Sequence, residues 1–79
     1  MAYISLHIQA IGSDTRELYK ELKKEAVQYC FCAGVRYYND CYRDQIRMYN
    51  FCNSSILMRK AIDKAAAKLG IAYIKVNEY

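Results

Sequence analysis

The segment Val35–Arg36–Tyr37–Tyr38–Asn39–Asp40–Cys41–Tyr42–Arg43–Asp44–Gln45–Ile46–Arg47–Met48–Tyr49–Asn50–Phe51 decides the fold. Two readings compete for it. As a hairpin, Val35 to Asn39 is a strand, Asp40 to Asp44 a turn, and Gln45 to Phe51 the returning strand. Asn39 and Asp40 are turn formers, and Val, Tyr, Ile and Phe suit pleated surfaces. As a helix from about Tyr37 to Phe51, the segment would present Tyr38, Tyr42, Ile46 and Tyr49 as one stripe. Periodicity alone does not separate the two in so short a stretch. The hairpin is the preferred reading.

The flanks are plainer. Tyr3 to Ala10 alternates, with Ile4, Leu6, Ile8 and Ala10 on one face and Tyr3, Ser5, His7 and Gln9 on the other, which predicts a strand. Gly12 and Ser13 break it. Asp14 and Glu17 have capping-box spacing for a helix whose apolar face runs from Leu18 through Leu22 and Ala26 to Ala33. Gly34 stands where such a helix would stop. Asn53, Ser54 and Ser55 offer a cap for a second helix. Met58, Ala61, Ile62, Ala65 and Leu69 are its stripe, and Gly70 its end. Ile71 to Val76 is a final strand, with Tyr73 and Lys75 facing away from Ala72, Ile74 and Val76.

The order strand, helix, strand, strand, helix, strand is the split βαβ, ferredoxin-like pattern. The expected fold is a small α+β single domain over residues 1–79. An antiparallel sheet would be covered by two helices on one face. The alternative, if the central segment is helical, is β-α-α-α-β.

Seventy-nine residues leave room for one domain. A chain this short buries only about 60% of its unfolded surface. Four cysteines raise a disulfide scaffold. The first ten residues lack a charged leader and an apolar run, and helix and strand formers dominate, so free thiols in a cytoplasmic protein are expected. No apolar stretch approaches the roughly 20 residues of a membrane span. The formal charge of +4 permits nucleic acid or an acidic protein as partner without requiring either. Nine tyrosines and no proline suit half-buried faces and interfaces.

Catalytic and metal chemistry find little support. Cys30 and Cys32 are followed by Cys41 and Cys52 at long gaps with no second close pair, unlike a structural zinc site. On a helix, Cys30 and Cys32 would point to nearly opposite sides, so inert thiols are expected and no metal or cofactor. His7, the single histidine, has no evident nucleophile to serve. An enzyme built on His7 and a cysteine is the third reading, and full activity after His7→Ala would remove it. Three glycines cannot build a phosphate-binding loop. Glu17, Glu21 and Glu25 form a helical stripe that solvated ion pairs with Lys20 and Lys24 explain. The expectation is a non-enzymatic protein.

Binding surfaces remain. The hairpin reading leaves one sheet face open, to carry Tyr3, His7, Arg47, Tyr49, Phe51, Tyr73 and Lys75. Interleaved aromatic and basic residues on such a face resemble the platform of RNA-recognition-motif domains, where bases stack on rings. The resemblance is of architecture. Gln45 to Phe51 lacks that family's basic-residue-and-glycine signature. The first functional expectation is docking on a larger protein or ribonucleoprotein through Tyr37, Tyr38, Tyr42, Arg43, Arg47 and Tyr49, because Tyr and Arg dominate interface centres. In size, missing catalytic motif and tyrosine content the chain resembles accessory inhibitors of phages and mobile elements, including anti-restriction and anti-CRISPR proteins. That resemblance implies modulating or blocking a larger assembly. The second expectation is RNA or DNA binding through Arg47, Tyr49 and Phe51 with Arg59, Lys60, Lys64 and Lys68 on the last helix. A homodimer through the sheet face is compatible with either.

Overall fold

A computed structural model describes residues 4–12 and 14–79. The elements are β1 (Ser5–Ala10), α1 (Thr15–Tyr29), β2 (Gly34–Asn39), β3 (Asp44–Tyr49), α2 (Ser55–Leu69) and β4 (Tyr73–Glu78). They form one antiparallel sheet in the order β2-β3-β1-β4, with both helices on one face. This is the expected ferredoxin-like βαββαβ arrangement. Tyr3 and Ser13, which the sequence assigns to a strand and its break, lie outside the described residues. Among the described residues, no helix is long and apolar enough to cross a membrane.

The central segment is a hairpin because of Asp40. Its carboxylate accepts from the amides of Tyr42 and Arg43, both at 2.8 Å, and receives the Arg43 guanidinium at 2.7 Å. That side chain satisfies the turn amides that a helix would otherwise have used. Asn39 then pairs with Asp44, and the register runs back to Gly34 opposite Tyr49. The helical stripe is split: Ile46 is fully buried while Tyr42 is 93% exposed.

The core lies between sheet and helices. Leu6, Ile8 and Ala10 of β1 meet Ile46 and Met48 of β3. Above them sit Leu18, Leu22 and Ala26 of α1 and Met58, Ala61, Ile62 and Ala65 of α2. Alanine at positions 61, 65 and 66 lets α2 approach closely. Ser54 caps α2 by accepting from the Leu57 amide at 3.2 Å, and Gly70 ends it with φ of 68°.

Four local expectations are corrected. Asp14 makes no side-chain cap, so the capping box with Glu17 is not formed. α1 stops at Tyr29 with Cys30 extended, and Gly34 opens β2 instead of ending the helix. Leu69 is exposed and Ala66 takes the buried position. Glu21 and Glu25 are buried, since they face α2: Lys68 reaches Glu21 at 3.0 Å and Glu25 at 3.9 Å, and Lys64 reaches Glu25 at 3.8 Å.

The β4 faces are also reversed. Tyr73 pairs with Ala10 and so points to the helices, where its hydroxyl donates to Asp63 of α2. A bulge opposite His7 and Ile8 shifts the register beyond it. Burial, then the Asp63 carboxylate, pushes the Tyr73 pKa from 10.0 up to about 12. A folded-state value above the unfolded one stabilises fully below pH 10 and is lost as pH rises through 12. The thermal midpoint should fall across that alkaline window, and Tyr73→Phe should shrink the fall; an unchanged profile would place the hydroxyl in solvent.

Candidate functional site

The helices leave the second sheet face uncovered, and strand alternation determines what it displays. β2 contributes Gly34, Arg36 and Tyr38; β3 contributes Gln45, Arg47 and Tyr49. β1 adds Ser5, His7 and Gln9, and β4 adds Ile74 and Asn77. Arg36 stands opposite Arg47, Arg47 opposite His7, and His7 opposite Asn77, so one row crosses all four strands. Among the described residues, the strands place no Asp or Glu on this face: Asp44 and Glu78 share the helix side with Tyr37 and Leu6.

Like charges directly opposite in a sheet repel. Aromatic rings offset part of that cost here. The Arg47 guanidinium lies 4.3 Å from the Tyr38 ring centroid, and Arg43 approaches the same ring at 5.4 Å. Arg36 lies 5.6 Å from the Tyr49 centroid, and its Nε donates to the Tyr49 hydroxyl at 2.7 Å. Such contacts contribute about 0.5–1 kcal/mol each at exposed sites. The Tyr49 ring rests on Gly34, where an added Cβ would come within 2.3 Å of it. Glycine at this one position lets the ring lie down on the sheet. Arg47 Nε is enclosed without a hydrogen-bond partner among the described residues. Burial, then the Arg47 charge, holds His7 below its ordinary pKa of 6.5. Its Nε2 is 3.1 Å from Ser5 Oγ, and its ring meets Tyr79 edge-on at 5.1 Å.

The expected binding residues divide accordingly. Tyr38, Arg47 and Tyr49 share the open face, and Tyr42 and Arg43 stand at the hairpin tip beside it. Tyr37 does not join them: it stacks on Tyr19 at 5.5 Å and donates to Asp44 at 2.6 Å, on the helix side. Phe51, expected on the open face, is fully buried, because β3 ends at Tyr49 and the chain turns inward. Tyr73 faces the helices, and Lys75, opposite Ile8, pairs with Glu78 at 3.3 Å. The α2 lysines are largely spoken for. Lys64 and Lys68 pair with buried glutamates, Arg59 pairs with Glu78 at 3.6 Å, and Lys60 is exposed. Sequence reasoning overlooked Arg36. The signal was available: an Asn39–Asp44 closing pair puts Arg36 opposite Arg47 by counting.

A second constellation lies at the sheet's other end. Cys30 and Cys32 follow α1 and do not lie on it, so the opposed-sides expectation fails. Cys30 Sγ is 3.2 Å from Cys32 Sγ and 2.9 Å from Cys52 Sγ. Hydrogen bonds from Cys52 and then Cys32 hold the Cys30 thiol below its ordinary pKa. The same bond pushes Cys52 up to about 11. Cys41 is exposed in the hairpin turn, apart from the other three. No protein-family profile matches this chain, and no curated protein matches it at a significant level.

Proposed function

We propose that this chain is a non-enzymatic binding module that holds single-stranded nucleic acid across its open sheet face. The observation that carries the reading is the row Arg36, Arg47 and His7 on a face whose strands, among the described residues, carry no carboxylate. Two opposed arginines cost folding energy in the free protein. A bound phosphate removes that repulsion and adds charge-assisted hydrogen bonds. Tyr49 supplies a flat ring for base stacking, which is worth about 1–3 kcal/mol per base. The antiparallel strands lie about 4.8 Å apart, so the row forms an extended track that suits a flexible strand.

Docking on a larger protein or ribonucleoprotein is the second reading. It is favoured by Ile74, exposed beside the row at 50%, and by Tyr42 at the hairpin tip.

Fluorescence anisotropy with labelled single-stranded RNA and DNA separates the two. Log affinity should fall linearly with log salt, with a slope of roughly −0.7 per phosphate contacted. Arg36→Gln should reduce that slope by about one such contact, and Tyr49→Ala should weaken binding about tenfold or more. Lys68→Gln, on the helix side, should change little. Absence of binding at low salt, or equal loss in Lys68→Gln, overturns the nucleic-acid reading and leaves protein docking.

A further inference from the structure

Cys30, Cys32 and Cys52 come from two separate stretches of chain, yet their three sulfurs lie within 4.8 Å of one another. We propose that they form a three-thiolate site for one thiophilic d10 cation of the zinc(II) or copper(I) kind. This site is independent of the sheet-face reading above.

Three observations carry it. The first is spacing. With metal–sulfur bonds of about 2.3 Å, two thiolates on a tetrahedral ion lie about 3.8 Å apart. The Cys30–Cys32 and Cys30–Cys52 separations of 3.2 and 2.9 Å fall short of that value by less than an ångström, and every pair lies within 4.8 Å. Displacements under an ångström would wrap the three sulfurs round an ion. The second is donor chemistry. The group contains no imidazole and no carboxylate, and all-sulfur sets select soft cations. The third is the backbone that delivers Cys52. Asn50, Cys52 and Asn53 have φ of 60°, 52° and 53°, left-handed at three non-glycine positions out of four. Asparagine takes this conformation more readily than cysteine, so the backbone at Cys52 is held in a disfavoured geometry. In this conformation its sulfur lies 2.9 Å from that of Cys30.

The site has an open side. Cys32 and Cys52 line a cavity of about 480 Å³ together with Tyr49 and Asn50. Three protein ligands and an accessible fourth position match the arrangement in which zinc also holds an exogenous ligand. Loading converts up to three thiols to thiolates, and their protons pass to solvent. A metal here would clip the end of α1 to the loop between β3 and α2. Stability and metal occupancy are then linked.

Cobalt(II) is the probe, because thiolate coordination gives it intense near-ultraviolet charge-transfer bands. The full chain, reduced and freed of metal, is titrated with cobalt(II) and then competed with zinc(II). One equivalent should bind with those bands, zinc should displace it, and the thermal midpoint should rise with zinc. Cys52→Ser and Cys32→Ser replace exposed residues and keep a folded protein to test; each should lose the bands and weaken cobalt binding at least tenfold. Cys41→Ser should behave as the unmodified chain. The proposal is overturned if the reduced protein takes up no cobalt, or if Cys52→Ser binds as well as Cys41→Ser. Recovery of a Cys30–Cys52 disulfide, with no cobalt uptake after its reduction, also overturns it.

Discussion

Phe51→Ala should remove a large share of the domain's folding free energy. Phe51 is fully buried and belongs to the same core cluster as Leu6, Ile8, Met48 and Met58. Truncating a buried phenylalanine costs about 3–5 kcal/mol, because the transfer energy is lost and a cavity remains. A domain of this length has a total stability of only about 4–12 kcal/mol. The loss takes a large share of it. Urea denaturation monitored by far-ultraviolet circular dichroism should show the midpoint falling steeply with little change in slope. Tyr49→Ala, two residues earlier but on the open face, should cost far less. A Phe51→Ala midpoint close to that of Tyr49→Ala would put Phe51 on the sheet surface, where the alternation of a longer strand would have left it.

The second large effect concerns the ion pairs between the helices. Glu25 is 3% exposed, and among the described residues its charge is answered by Lys64 and Lys68, which are themselves more than half exposed. Among the described residues Glu25 Oε2 has no hydrogen-bond partner. Removing both lysines strands the Glu25 carboxylate, and Glu21 beside it, between the helices, and an uncompensated buried charge is costly. Because the lysines remain partly hydrated, the expected loss for Lys64→Ala with Lys68→Ala is about 1–3 kcal/mol, below the cost of breaking a fully buried pair. The informative step is rescue. Adding Glu25→Met to that double variant should recover much of the stability, since an apolar chain of similar volume has no charge to strand. If Glu25→Met deepens the loss instead, the lysines act through packing and not through the carboxylate.

How much was readable in the chain varied with distance. β1 alternates so regularly that its buried face, Leu6, Ile8 and Ala10, followed from period alone. α2 announced both ends locally, through Ser54 and Gly70. The hairpin was harder, since its residues suit either structure, and one side chain, Asp40, tips the balance by bonding two turn amides. β4 misled for a different reason. It is an edge strand with apolar residues on both faces, so pattern could not choose between Tyr73 and Ile74 as the inward set. The Asp63 partner of Tyr73 goes with the inward choice, and it is not visible in a strand read by itself. The α2 lysines read as a free basic stripe because their partners sit on another helix. The thiol group was least legible: its members are separated by a whole hairpin, and only the left-handed turn at Asn50 to Asn53 brings them together.

The strand order has a consequence for how this sheet comes into being. β1, at the centre, has both its neighbours far away in sequence: β3 on one side and β4, near the opposite end of the chain, on the other. Only β2 and β3 can zip locally. Every other strand pairing must first close a long loop, and that entropy is spent before any contact returns it. The middle of this sheet is therefore its slowest part to assemble. Until β4 arrives, one whole edge of β1 offers unpaired amides and carbonyls to any extended chain nearby.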